Sequence, residues 1–237
     1  MDNFNRIKNN KEIIELYNKI SDYEDLTKGW AHHNFEHVNN VAEMTGEILK
    51  KLGYNDKFIE EAKIAAILHD TGCLEGKDNH TIRSYEYAKR YLERNNVKLE
   101  NEDLVLEAIK NHSSGFDTEN TIALALILSD KLDIKHTRVA KEGYNIEGMR
   151  QLQYIKDILI NINDNYIEIN FLCDELINKL ELEEFYFTEK IFNAINAFSK
   201  KINLKPIVLF NNENWTKFDN YKKVKKWKIP PKNYTHF

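Results

Sequence analysis

Four of the chain's eight histidines stand where segments of helical apolar spacing begin or end. His37 precedes Val41 by one turn, His69 follows Ala66, and His112 follows Ala108 and Ile109, so these rings point along apolar rows; His80 opens a segment of its own. Any one of them alone reads as a hydrogen-bonded core histidine. Two aspartates change that reading. Asp70 follows His69 at the end of Ile64-Ala65-Ala66-Ile67-Leu68, a run apolar enough to be buried on nearly every side. Asp130 ends the apolar run Ile122 to Leu128 and shares a row with Ile122 and Leu126. An ionised carboxylate in such surroundings is costly unless a cation or several donors receive it. Helix capping, or an ion pair to Lys131 or Arg138, is one answer; a divalent ion is another, and it satisfies both carboxylates at once. Carboxylates and imidazoles supplied by different helices make a mixed oxygen and nitrogen site suited to zinc, iron, manganese or a similar ion.

Helices must position these groups, and the spacing predicts them. Val38, Val41, Thr45, Ile48 and Leu52 form one row, closed by Gly53. Asp56 is placed to cap the next helix, in which Ile59, Ala62, Ala66 and His69 share a row before Gly72 ends it. Further helices are expected over His80 to Arg94, Asn101 to His112 and Glu119 to about Asp133, joined by turns rich in Gly, Asp, Asn and Ser. Residues 1–142 thus read as a helical bundle that carries the site. After Gly143 the texture changes. Ile158 to Ile162 and Tyr166 to Phe171 alternate around Asn163, Asp164 and Asn165, predicting a hairpin. A long helix from about Glu175 to Lys201, with a possible break, leads to a third strand at Pro206 to Phe210, and a basic stretch with Trp227 ends the chain. The expected architecture is mainly α, with residues 143–237 forming a small α+β appendage of short antiparallel sheet and long helix. Phe185, Tyr186 and Phe187 in the late helix serve either an interface between copies or an intramolecular core.

Composition narrows the partners. With 237 residues, a formal charge of -4 and both signs mixed along the chain, no extended basic field exists to grip a phosphate backbone, so a nucleic-acid polymer is not expected. No run approaches the roughly 20 apolar residues of a membrane span, and the first ten residues lack the apolar centre of a signal peptide. A cytoplasmic, membrane-free location is expected, with Cys73 and Cys173 reduced.

The ordered set His37, His69-Asp70 and Asp130, the last within Leu128-Ser129-Asp130-Lys131-Leu132, resembles the HD-domain metal-dependent phosphohydrolases over roughly Trp30 to Arg138. The resemblance implies a helical catalytic domain with those four residues as metal ligands. In the two-metal subset two intervening histidines join them; His80 and His112 occupy matching places, and Asp70 would bridge the ions. The segment His33-Asn34-Phe35-Glu36-His37 is also similar to a stretch of cyclic nucleotide phosphodiesterases whose first His donates a proton and whose last is a ligand, which implies an acid role for His33. Two departures disfavour cyclic di-GMP as substrate: Cys73 stands where that branch commonly has Lys, and its Gly-Tyr-Pro signature is missing. Cys73 is expected to be a packed small residue, since nothing near it in sequence lowers a thiol pKa.

The implied activity is hydrolysis of a phosphomonoester or phosphodiester of a nucleotide or other small phosphorylated metabolite. One or two divalent ions (Fe, Mn, Co, Ni, Zn or Mg) would activate water and clamp the phosphoryl oxygens. Lys131, Arg83 and Arg138 are the cations nearest the ligands in sequence, expected on the substrate phosphate, Lys131 and Arg83 also in catalysis; for each the alternative is a solvated surface charge. Arg83 lies one turn beyond His80. Two other functions fit the same resemblance, a di-iron oxygenase using the same six ligands and a regulatory module that binds metal or nucleotide without turnover.

Overall fold

The computed structural model of the chain describes residues 2–113 and 115–224. A short helix α1 (Asn3–Lys8) precedes α2 (Lys11–Leu26), which buries the row Ile13, Tyr17, Ile20 and Glu24. Helix α3 (Phe35–Lys51) begins at Asn34, whose side chain accepts the backbone N–H of His37 at 2.9 Å, and its row Val38, Val41, Thr45 and Ile48 is buried. Helix α4 (Asp56–Leu68) is capped by Asn55 and not by Asp56: the Asn55 side chain accepts from the Phe58 N–H, a reach that only the residue outside the helix can make. The helix also stops earlier than Gly72, at Leu68, with His69 as its C-cap and a 3-10 turn over Thr71–Glu75. Helices α5 (His80–Arg94), α6 (Glu102–Asn111) and α7 (Thr121–Leu132) follow near their predicted bounds. Helix α7 is apolar nearly all round and sits in the middle, against α3, α4 and α6.

Gly72 lets two of these elements meet. A Cβ there would lie 2.3 Å from the carbonyl oxygen of His80 and 2.6 Å from the Ser84 nitrogen. Without one, the 3-10 turn presses onto the first turn of α5, and the Gly72 N–H donates to Ser84 Oγ at 2.9 Å. That close approach carries His80 towards Asp70.

Beyond the helices, β1 (Ile155–Ile162) and β2 (Tyr166–Cys173) form the expected antiparallel hairpin, its turn held by Asn163 Oδ1, which accepts from the N–H groups of Asn165 and Tyr166. The late helix breaks at Phe185 into α8 (Lys179–Glu184) and α9 (Tyr186–Lys201), because Phe185 is extended and turns its ring into the core. Phe185 is therefore buried and Phe187 packs partly on the core, while Tyr186 alone of the three is well exposed. Strand β3 (Lys205–Phe210) runs parallel to β2, so the sheet is mixed and not wholly antiparallel. The crossover through α8 and α9 returns the chain to the same end of the sheet, which permits parallel pairing. A two-residue strand β4 (Glu213–Asn214) completes the order β1-β2-β3-β4, and α10 (Thr216–Val224) follows. Helix α9 packs on α7. The stretch around Trp227 lies outside the described residues. Among those described, no helix is long and apolar enough to cross a membrane.

Candidate metal centre

The local structure around each histidine decides which ring nitrogen faces inward. His69 and His112 cap the C-termini of α4 and α6, where helix carbonyls lack intrahelical donors, and each returns its Nδ1–H to the carbonyl three residues back: Ala66 at 2.6 Å and Ile109 at 2.7 Å. His80 does the same to Lys77 at 2.7 Å. His37 donates Nδ1–H to Asp133 Oδ2 at 2.7 Å, and Asp133 Oδ1 accepts from Asn40 Nδ2 at 3.2 Å. Carbonyls and carboxylates only accept, so Nδ1 is the donor in all four rings and the Nε2 lone pairs are left to the interior.

Those lone pairs converge on the two aspartates in two groups that share Asp70. In the first, His37 Nε2 lies 3.4 Å from both Asp70 Oδ2 and Asp130 Oδ1, and His69 Nε2 lies 3.2 Å and 3.8 Å from the same two oxygens. In the second, Asp70 Oδ1 is 3.7 Å from His80 Nε2 and 3.4 Å from His112 Nε2. His37 and His69 are wholly buried, and Asp70 and Asp130 are 2% and 8% exposed. His37 Nε2, His69 Nε2 and Asp70 Oδ2 have no hydrogen-bond partner at all. Three orphaned buried polar atoms at one point are a large unmet cost unless a cation joins them. The Nε2 atoms of His80 and His112 face each other at 3.0 Å, two acceptors that also require a positive charge between them. Ligands about 2.1 Å from one ion lie about 3.0 Å apart at a right angle and about 3.4 Å apart at a tetrahedral angle. Distances, lone pairs and donor types fit a divalent ion in each group.

The charges agree. Burial raises the carboxyl of Asp70, but His69 with Lys77 and His33 outweighs it and holds the group well below the carboxylate range; Asp130 is held down against burial by Lys131, His37 and His69. Burial lowers His69, yet Asp70 and Asp130 push it up to about 9, and His37 is raised by Asp130, Asp133 and Asp70 against burial and Arg138. His80 is driven down to about 4 by burial first, with Lys77 and His112 adding to it. Without an ion the first group therefore retains a proton, which a cation would displace. Cys73 Sγ donates to Asp70 Oδ1 at 3.4 Å, and burial pushes its thiol far up, as a packed residue and not a nucleophile requires.

The other expected site residues fare differently. His33 is fixed by Glu24: its Nδ1–H donates to Glu24 Oε1 and its backbone N–H to Glu24 Oε2 at 2.7 Å. Its Nε2 accepts from Arg138 Nη2 at 2.8 Å and from Lys77 Nζ. Burial, Arg138 and Lys77 lower it to about 3, so His33, expected as a proton donor, stands here as a neutral acceptor. Lys131 donates to the outer oxygen of Asp130 at 2.5 Å. Arg138 also donates to the His32 carbonyl. Arg83, expected on the substrate phosphate, is instead engaged by the backbone: its guanidinium donates to the carbonyls of Gly72 at 2.9 Å, Asp78 at 2.5 Å and Gly76 at 2.5 Å. A planar donor fork one turn into α5 meets that loop's unpaired carbonyls first.

Sequence reasoning missed Glu24, Asp133 and Lys77. Glu24 ends the apolar row Ile13, Tyr17 and Ile20, and Asp133 sits between the buried Leu132 and Ile134, one turn past Asp130. Both carry the burial signal that exposed Asp70 and Asp130. Lys77 lies in a polar loop and carries no such signal.

Comparison with known proteins bears on the same span. The profile of the HD domain family matches residues 34–141, which include all six residues of the two groups. The chain is 30% identical over 150 residues to Ribonuclease Y of Petrotoga mobilis, a match covering 62% of this chain and 26% of the relative. It is 31% identical over 61 residues to the Cyclic di-GMP phosphodiesterase of Thermotoga maritima, covering 26% of this chain and 15% of the relative. The chain thus spans about a quarter of the length of the first relative and less of the second.

Proposed function

Residues 34–141 belong to the HD domain family, and from that premise we propose that the chain is a metal-dependent phosphohydrolase acting on a phosphomonoester or phosphodiester of a nucleotide or other small phosphorylated metabolite. The observation that carries the proposal is the convergence of the orphaned His37 Nε2, His69 Nε2 and Asp70 Oδ2 within one buried His and Asp group. His37, His69, Asp70 and Asp130 would hold one ion, and Asp70, His80 and His112 a second, with iron, manganese, cobalt, nickel, zinc or magnesium all compatible with nitrogen and oxygen donors. When bound, such ions supply Lewis acidity and a water of lowered pKa for attack on phosphorus.

The chain's own residues do the rest. Asp70 offers one oxygen to each group and so ties their positions together. Asp133 orients His37, and three backbone carbonyls orient His69, His80 and His112. Lys131, beside Asp130, and Arg138, beside His33, would be the cations that meet phosphoryl oxygens. Both relatives bear names of enzymes that cleave phosphodiesters, which puts that ester first for trial. The mild net acidity, with charges of both signs mixed along the chain, favours a small substrate.

The test is elemental analysis of purified protein beside Asp70→Ala and His112→Ala, followed by a phosphate-release screen on the same samples. Metal that falls with either change, together with ester cleavage by the native chain, supports the proposal. A replete protein without metal, or oxygen uptake by the iron-loaded chain with no ester cleavage, overturns it.

A further inference from the structure

We propose that Lys77 and Arg138, gathered on the Nε2 of His33, form an oxyanion site that holds a phosphoryl group against the metal centre, with Arg83 as the residue that positions Lys77. The inference rests on the phosphohydrolase reading and names a substrate-binding cation that the sequence does not mark.

His33 fixes the geometry. Its Nδ1–H is committed to Glu24, so Nε2 has a single lone pair, and both Lys77 Nζ and Arg138 Nη2 are directed at it. One lone pair serves one donor well. Among the described residues neither cation has a carboxylate partner within ion-pair distance, so two positive charges are held side by side on a neutral acceptor. An incoming anion relieves that repulsion and takes the N–H groups that His33 cannot satisfy. The pair is half-buried and lies beside the centre: the rings of His33 and His37 are 5.6 Å apart, edge to face, and the charge on Lys77 acts on Asp70, on Cys73 and on His80.

The Lys77 loop is built to keep the cation there. The Arg83 guanidinium holds the carbonyls of Gly76 and Asp78, the two neighbours of Lys77, and that of Gly72. The Lys77 carbonyl itself accepts from His80 Nδ1 at 2.7 Å. One residue thus orients a candidate ligand through its backbone and offers a cation through its side chain. Replacing the side chain leaves the His80 contact intact, which separates the two roles.

The experiment is calorimetric titration of inorganic phosphate into metal-free and metal-loaded protein, at low salt, for the native chain, Lys77→Met, Lys77→Arg and Arg83→Gln. Thermal melts and metal content are measured on each. Loss of one charge-assisted contact weakens binding by about ten- to a hundredfold, so Lys77→Met is expected to lose that much phosphate affinity at unchanged metal content. Lys77→Arg retains most of the affinity, and Arg83→Gln falls between. Equal phosphate affinity in native and Lys77→Met protein, both folded, overturns the inference, as does absence of phosphate binding by the native chain. Metal-loaded protein that cleaves no ester yet binds phosphate through Lys77 sinks the hydrolase reading and sustains this one. Ester cleavage with phosphate affinity indifferent to Lys77 does the reverse.

Discussion

Asp133→Asn isolates the link between the second layer of the site and its metal affinity. Asp133 and His37 are both wholly buried, and the Nδ1–H to Oδ2 bond between them is 2.7 Å long. The substitution keeps the shape and the neighbour Asn40 but removes the charge that fixes the tautomer. If the new amide presents its NH2 to Nδ1, the ring proton moves to Nε2 and the lone pair facing Asp70 and Asp130 is lost. If it presents its oxygen, the ring stays but is less basic. Loss of such an outer partner weakens metal binding by about ten- to a hundredfold, or about 1.4 to 2.7 kcal/mol. Only the group containing His37 should be affected, because His80 and His112 are oriented by the carbonyls of Lys77 and Ile109. The assay is competition for metal against a chromophoric chelator, with thermal melts to verify folding. Unchanged affinity in a folded Asp133→Asn protein, or equal loss at both groups, would refute the reasoning.

Other perturbations separate the remaining parts. Asp70→Ala should empty both groups, while His112→Ala should empty only the second; metal content read element by element checks this. Gly72→Ala must move either the 3-10 turn or the start of α5, since the added methyl meets the His80 carbonyl oxygen at 2.3 Å. A destabilisation of about 1 to 3 kcal/mol is expected for such overpacking, visible in denaturant unfolding, with weaker metal binding at His80. The metal-free protein should melt highest near neutral pH. His69, raised from 6.5 to about 9, contributes stability that is full below 6.5 and is lost as pH rises through 9. His33 and His80, lowered from 6.5 to about 3 and about 4, act oppositely and lose their contribution as pH falls below 6.5. Metal loading should abolish the alkaline limb, because the ion replaces the His69 proton; a melting profile whose alkaline limb ignores metal would contradict the charge balance described for the first group.

The site's core was legible in the chain because burial cost is a local property. Asp70 and Asp130 each end a run too apolar to leave them in water, and the helical period placed His37, His69, His80 and His112 at helix ends. The helices and the hairpin follow from periods of about 3.6 and 2, which neighbouring residues alone express. The cap on α4 was misplaced by one residue because Asn55 and Asp56 are both good caps and only the turn geometry chooses. What tertiary structure decided is who meets whom. Nothing in the Lys77 loop marks its ammonium for His33, 44 residues away, nor the Asp133 carboxylate for His37, 96 residues away. Arg83 looked free for substrate until the loop supplied three carbonyls, and β3 ran parallel to β2 because of the crossover's path and not its own residues. Periodicity and desolvation act within one segment, whereas hydrogen-bond partners across a core depend on where packing brings separate segments together.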